Sequence, residues 1–266
     1  PEVLPLIPEM RYLSGASGKA GKSMKSYNLT QFRKDLSELS IELDKSQEEQ
    51  FMQYYELLIQ WNEVMNLTAI TDFDEVLKKH FVDSLSLIKA VPELTKEGYS
   101  VIDVGTGAGF PGIPLKIAFP GLKVTLLDSL NKRVKFLNEV IAQIGLADID
   151  AVHGRAEDYA KPGLFREKYD LCVSRAVANM ATLSEYCLPF VKVGGRFIPY
   201  KSEKIEEEAA AAKKAFYLLG GEVVENIEFN LPYSDIYRSL FIIRKKAPTP
   251  GKYPRKAGLP AKEPIS

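Results

Sequence analysis

Residues 103–115 read Asp103-Val104-Gly105-Thr106-Gly107-Ala108-Gly109-Phe110-Pro111-Gly112-Ile113-Pro114-Leu115. The run Val101-Ile102-Asp103-Val104 before it predicts a buried strand, and Pro111 to Phe119 predicts a helix. A glycine-rich turn between strand and helix is where a doubly wound sheet lets its backbone approach a ligand without an intervening side chain. Dinucleotide sites show G-x-G-x-x-G. Here the third glycine comes one position early, as Gly109, and Phe110 follows it. On the loop alone, a plain strand-to-helix turn is the competing reading. Asp128 narrows the choice. It ends the next apolar run, Val124-Thr125-Leu126-Leu127, 23 residues after Gly105. A carboxylate there can accept hydrogen bonds from a ribose diol, or cap the helix that begins at Ser129. Loop and acid together point to a nucleoside ligand.

Outward from this stretch the pattern repeats. Leu171-Cys172-Val173 reads as another buried strand, and Ile149 to Val152 as a weaker one. Helical periods cover Ser129 to Ile144, Asn179 to Phe190 and Glu203 to Leu219. Gly194-Gly195 opens a strand at Arg196 to Tyr200, and Glu222 to Phe229 and Ser239 to Ile243 pair across a Pro-Tyr-Ser turn. This is a βαβα succession of the α/β doubly wound class. Residues 28–92 read as a helical N-terminal region. Ser46 with Glu49 suggests a capping box, followed by an amphipathic stripe from Phe51 through Val64 to Met65. Asp72 caps a short helix, and a separate one covers His80 to Ala90 before Pro92.

Lys plus Arg and Asp plus Glu both number 35, so net charge names no partner. Its distribution is uneven. Asn28 to His80 holds 11 acidic and 5 basic residues, whereas Arg238 to Ser266 holds 8 basic and 1 acidic, compatible with an anionic partner at one end. Two cysteines, Cys172 and Cys187, make neither a disulfide framework nor a metal cluster, and no apolar run reaches the ~20 residues of a bilayer span. Residues 1–27 read as a leader with Met24 as the natural start, 93–246 as the ligand-binding domain, and 247–266 as a flexible basic tail.

Five ordered motifs then carry a family resemblance. DVGTGAGFPGIPL at 103–115, GRAED at 154–158, VSRAV at 173–177, WNEVMNLTAI at 61–70 with KHFVDSL at 79–85, and the tail PTPGKYPRKAGLPAKEP together resemble the RsmG (GidB) methyltransferases. The resemblance implies a class I S-adenosylmethionine-dependent methyltransferase fold: a Rossmann-like, doubly wound, mostly parallel seven-stranded sheet with an antiparallel last strand. It also implies methylation of guanine N7 in the decoding region of 16S rRNA, on free RNA or the 30S subunit. S-adenosyl-L-methionine is then the cofactor, with contacts expected from Asp103, Gly105, Thr106, Gly107, Gly109, Phe110, Asp128, Ser129, Ala156, Glu157 and Arg175. Asp128 stands where the family commonly has Glu. No metal, membrane or obligatory protein partner is expected, and the setting is the bacterial cytoplasm.

Guanine N7 carries an unprotonated lone pair, so the chemistry needs positioning and dryness but no base and no covalent nucleophile. The chain has no Asn-Pro-Pro-Tyr or Pro-Cys motif, and Cys172 reads as apolar filler. Arg175, just past a strand end, can meet the cofactor's carboxylate, a phosphate or the guanine, or make a plain surface ion pair. His80 and Asp83 share a helix face and read as a structural pair; His153 reads as incidental. RNA contacts are expected from Lys132, Arg133, Lys135, Arg155, Lys201, Lys204, Arg244, Lys245, Lys246, Lys252, Arg255 and Lys256. The rival readings are a methyltransferase for another RNA, a small molecule or a protein, an NAD-dependent oxidoreductase, and a non-enzymatic ribosome-binding protein.

Overall fold

A computed structural model describes residues 27–175, 178–203 and 205–266. The leader up to residue 26, the Ala176-Val177 end of VSRAV, and Lys204 lie outside the described residues. One seven-stranded sheet organises the chain, in the order β3-β2-β1-β4-β5-β7-β6. The strands are β1 (Ser100–Val104), β2 (Lys123–Asp128), β3 (Ile149–His153), β4 (Tyr169–Ser174), β5 (Val191–Lys201), β6 (Gly221–Asn230) and β7 (Tyr237–Lys245). β7 alone runs antiparallel to its neighbours. The sheet is the expected class I arrangement.

The apolar runs form strands because both sheet faces are covered. Consecutive residues feed opposite cores: Val101, Leu171, Ile198 and Ile242 face one, while Ile102, Cys172, Phe197 and Ile243 face the other. The first core is closed by α1 (Thr30–Glu38), α2 (Lys45–Met65), a helical run from α3 (Phe73–Val76) into α4 (Asp83–Leu85), α5 (Gly112–Ala118) and α6 (Asn131–Gln143). The second is closed by α7 (Ala156–Tyr159), α8 (Met180–Cys187), α9 (Glu206–Ala211), α10 (Lys213–Leu218), and by Tyr253 and Ile265 after β7, with α11 (Leu259–Lys262) between them.

Several local expectations are corrected. The capping box lies two residues earlier, with Asp44 accepting from Gln47 N (2.8 Å) and Gln47 returning a bond to Asp44 N (2.9 Å). The predicted stripe on α2 holds at Phe51, Tyr54, Leu57 and Leu58, which are in the core, but not at Val64, which is 78% exposed. The helices expected at Asp72 and His80 are one continuous run, since neither Gly nor Pro separates them; a π-helical turn, Leu77–Val82, joins them. π-turns are rare and concentrate at functional sites. β5 begins at Val191 rather than Arg196, because its glycines are inside an irregular part of the strand; a Cβ at Gly195 would stand 2.6 Å from Asp170 O. The helix expected from Glu203 is two short ones that break at Ala212: α9 has no fully buried residue and packs on the second core through part-buried Ala209, whereas Ala212 and Ala215 enter it.

The basic tail is not a free arm. Tyr253, Pro260 and Ile265 are buried, and α11 packs on α8.

Candidate active site

The sheet reverses its strand order between β1 and β4. Doubly wound folds bind ligands at this point, beyond the carboxyl ends of the strands. The glycine loop follows β1 here, Arg175 follows β4, and Ser174 Oγ donates to Val104 O (2.7 Å) across the two strand ends.

The loop is braced from within and from the N-terminal helices. Asp103 Oδ2 accepts from Thr106 Oγ1 (2.7 Å) and Gly112 N (2.9 Å), so these residues hold the loop's shape from inside the protein. Asp103 is fully buried and its Oδ1 has no hydrogen-bond partner, so burial raises its carboxyl to about 7. Tyr54 of α2 donates to Ala108 O. Gly109 (φ +100°) lies so close to α2 and α5 that a Cβ would stand 2.5 Å from Ile113 Cδ1 and 2.7 Å from Tyr54 Oη. Gly107 (φ +62°) differs: a Cβ there would point into open space. That is the side from which a ligand can reach the backbone.

Gly107 N donates to Asp128 Oδ2 (2.9 Å), and Leu130 N to Asp128 Oδ1 (2.9 Å). Asp128 does not cap α6; its carboxylate ties the two loops together. Arg133 Nη1 lies 3.4 Å from Asp128 Oδ2, so this cation, expected to face RNA, covers the carboxylate. A carboxylate offers about four lone-pair positions and these three donors leave one, but the Asp128 side chain is only 2% exposed, so a ribose hydroxyl reaches it only when Arg133 moves aside. Gly154 N donates to the backbone carbonyl of Asp128 (3.0 Å), which ties the β3–α7 turn that leads into Ala156 and Glu157 to the tip of β2. Ser129 is exposed on this edge, and its carbonyl is bridged to His153 Nε2 (3.1 Å). An open backbone cradle with a carboxylate at the β2 tip suits the ribose and amino-acid parts of S-adenosylmethionine.

Phe110 links this loop to a cavity of about 1020 Å³, lined among others by His80, Asp83, Arg175, Asn179, Tyr200 and Arg238. Its ring stacks on His80 (4.4 Å between centroids, 15° between planes), and the Arg175 guanidinium lies 5.1 Å from its centroid. Arg175 Nη1 donates to Asp83 Oδ2 (2.8 Å) and Lys79 O (3.2 Å), while Arg238 Nε donates to Asp83 Oδ1 (2.7 Å). Arg175 Nη2 lies 2.9 Å from His80 Nδ1. A guanidinium only donates, so Nδ1 carries the lone pair and Nε2 the proton, which bonds Thr68 Oγ1 (2.9 Å). Burial, and then Arg175, depress His80 to about 3, so the ring is neutral.

His80 and Asp83 do pair structurally, but with Arg175 and on the cavity wall. Sequence reasoning did not single out Arg238 for this site, nor Asn179 and Tyr200. Four residues from the π-turn, α4, the end of β4 and β7 meet only through the fold. The one local signal was KHFVDSL, which places Lys79, His80 and Asp83 within five residues.

The remaining basic candidates separate cleanly. Lys132, Arg155, Arg244, Lys252 and Lys256 are exposed. Lys201 is held by Ala178 O (3.2 Å) and Glu208 (2.9 Å) on the cavity rim. Lys245 has no exposed side-chain surface; its ammonium bonds Leu188 O, Val191 O and Thr249 Oγ1, a structural post rather than a phosphate contact. Arg255 is committed to the buried Glu185. Among the described residues no group of His, Cys, Asp and Glu is arranged to hold a metal, and no helix is long and apolar enough to cross a membrane.

Comparison with known proteins agrees with the fold and gives the family. A chain of the complex of the Haloferax volcanii Trm112 methyltransferase activator superposes with a TM-score of 0.51 at 15% identity, over 71% of this chain and 98% of that one. An MtNAS variant does so at 0.50 and 15% identity, over 82% and 87%. These likenesses concern the fold alone. A "Ribosomal RNA small subunit methyltransferase G" from Lachnoclostridium phytofermentans is 56% identical over 234 residues, 88% of this chain and 96% of its own length. Its namesake from Alkaliphilus metalliredigens is 55% identical over 86% of this chain and 95% of its own length. Residues 47–234 match the family model GidB, rRNA small subunit methyltransferase G, and with relatives this similar along nearly their whole length the chain belongs to that family.

Proposed function

We propose that this chain transfers the methyl group of S-adenosylmethionine to guanine N7 in the decoding region of 16S rRNA, as free RNA or within the 30S subunit, in the bacterial cytoplasm. Bound S-adenosylmethionine supplies a sulfonium methyl that is already electrophilic. The protein's share is to hold two partners in line and keep water out, which is worth up to roughly 7–11 kcal/mol for well-oriented reactants. Gly107 and the Asp128 carboxylate hold the ribose side, and the Ala156–Glu157 backbone meets the adenine edge. Phe110, His80 and Arg175 form the wall between that cradle and the cavity, where the target base is positioned.

One observation carries the N7 assignment. The acceptors that join loop to cavity are already committed: His80 Nδ1 to Arg175, and both Asp83 oxygens to Arg175 and Arg238. The wall beside Phe110 thus positions a base without offering it a free acceptor, which N7 does not require and an exocyclic amine does; the cavity's other carboxylates, Glu203, Glu207 and Glu208, lie at and before α9. The exposed Lys132, Arg155, Arg244, Lys252 and Lys256 supply phosphate contacts that set register without selecting sequence. The test is transfer of labelled methyl from S-adenosylmethionine to small-subunit RNA from cells lacking the enzyme. Incorporation that Asp128→Ala abolishes supports the reading. Equal labelling of transfer RNA, or full activity in Asp128→Ala, overturns it.

A further inference from the structure

The chain after β7 is fastened at successive points to the elements behind the cofactor-side turn. Arg166, between α7 and β4, donates to Tyr253 O (2.8 Å) and to Ala160 O (3.1 Å). Arg255 then closes on Glu185 of α8: its backbone N donates to Oε1 (2.7 Å), its Nε to both oxygens (3.0 and 3.1 Å), and its Nη2 to Oε2 (2.7 Å). Glu185 is fully buried, and this fork supplies hydrogen bonds to both its oxygens. Three residues on, Gly258 turns at φ +83° and its N–H donates to Glu157 Oε1 (2.9 Å). Pro260 O accepts from Thr182 Oγ1 of α8 (2.9 Å). Glu157 is itself buried and sits in the turn whose Gly154 N–H reaches Asp128 O.

We propose that residues 253–260 form a strap that positions the Ala156–Glu157 turn for the cofactor's adenine, with Arg255 acting through Glu185 and the Gly258 N–H rather than on RNA phosphate. This rests on the S-adenosylmethionine reading of the site. The tail's cations divide accordingly. Arg255 faces inward to a carboxylate, while Lys256 and Lys262 face solvent.

The experiment titrates S-adenosylmethionine into the full chain by calorimetry and measures cofactor-free binding to 30S subunits at two salt concentrations. Arg255→Ala raises the cofactor Kd tenfold or more and leaves the 30S Kd within twofold; Lys262→Ala, which removes a tail charge outside the strap, leaves the cofactor Kd unchanged. Glu157→Ala raises the cofactor Kd as well, and the double variant is no weaker than the worse single, because both cut one tether. Amide exchange over residues 154–160 in the ligand-free protein accelerates tenfold in Arg255→Ala, a readout that stands even if the wild type binds no S-adenosylmethionine and the functional reading falls. A cofactor Kd within twofold of wild type in Arg255→Ala overturns the proposal, as do multiplying effects in the double variant. A tenfold loss of 30S binding with a shallower salt dependence also overturns it. Should Arg255→Ala fail to fold, Glu157→Ala decides, and an unchanged cofactor Kd there overturns the strap.

Discussion

A methyl group added at Gly107 and one added at Gly109 meet opposite surroundings, though only Ala108 separates them. At Gly107 the backbone is left-handed at φ +62° and the new Cβ meets nothing within 4 Å. The folding cost is then the left-handed backbone alone, about 1–2 kcal/mol. At Gly109, φ is +100° and the Cβ overlaps Ile113 Cδ1 at 2.5 Å and Tyr54 Oη at 2.7 Å. Both neighbours are fully buried, and Tyr54 is locked between Phe81 and Phe110 with centroids 5.4 and 5.5 Å away. Overpacking of this kind costs about 1–3 kcal/mol, added to about 1–3 kcal/mol for backbone strain. Gly109→Ala therefore loses about 2 kcal/mol more stability than Gly107→Ala in urea titrations read at equal m. Binding orders the two differently in kind. Gly107→Ala stays folded but places its methyl on the open side of the cradle, so the S-adenosylmethionine Kd rises at least tenfold, about 1.4 kcal/mol. Equal stability of the two variants would refute the packing of loop against α2. Wild-type affinity in folded Gly107→Ala would refute the open face of Gly107 as the ligand's approach.

Three further perturbations bear on the same architecture. Asp83→Ala leaves two guanidiniums on the cavity wall without their carboxylate and costs about 3–5 kcal/mol, measured by urea melts; a loss under 1 kcal/mol would mean the pairs are solvated. Asp103 has its folded pKa raised from 3.8 to about 7. Its contribution is therefore full below pH 4 and is lost as pH rises through 7, a span of at most about 4 kcal/mol. Asp103→Asn flattens that part of the stability-versus-pH curve, and an unchanged slope would show the carboxyl ionises without penalty. Lys245→Ala removes the buried ammonium that bonds Leu188 O, Val191 O and Thr249 Oγ1 and pairs with Glu167, lowering stability by about 2–5 kcal/mol while RNA affinity in filter binding stays constant; the reverse pattern would return Lys245 to the RNA surface.

The parts of the molecule legible in sequence are those built from contiguous residues. Val101 to Leu115 shows strand, turn and helix within one window, and Asp128 ends an apolar run, so both carry their position with them. Fully covered sheet faces turn strands into unbroken apolar runs, which made β1, β2 and β4 plain. Boundaries failed where two chemistries compete locally: Asp44-x-x-Gln47 and Ser46-x-x-Glu49 both spell a capping box, and the tertiary contact of Gln47 with Ile117 O (2.8 Å) favours the first. The cavity wall was hidden for a different reason. His80, Asp83, Arg175 and Arg238 are brought together by sheet order, and no periodicity links residues 155 apart. The tail misled through its charge: its lysines and arginines suggested a solvated arm, while Tyr253, Pro260 and Ile265 were the anchoring signal.

The most direct test of the central claim maps the methyl group itself. Small-subunit RNA from cells lacking the enzyme is treated with this protein and labelled S-adenosylmethionine, then cleaved at N7-methylguanine. The proposed function predicts one cleavage, at a single decoding-region guanine, absent with Asp128→Ala. Label that enters the RNA but resists this cleavage, or that maps outside the decoding region, would contradict the account.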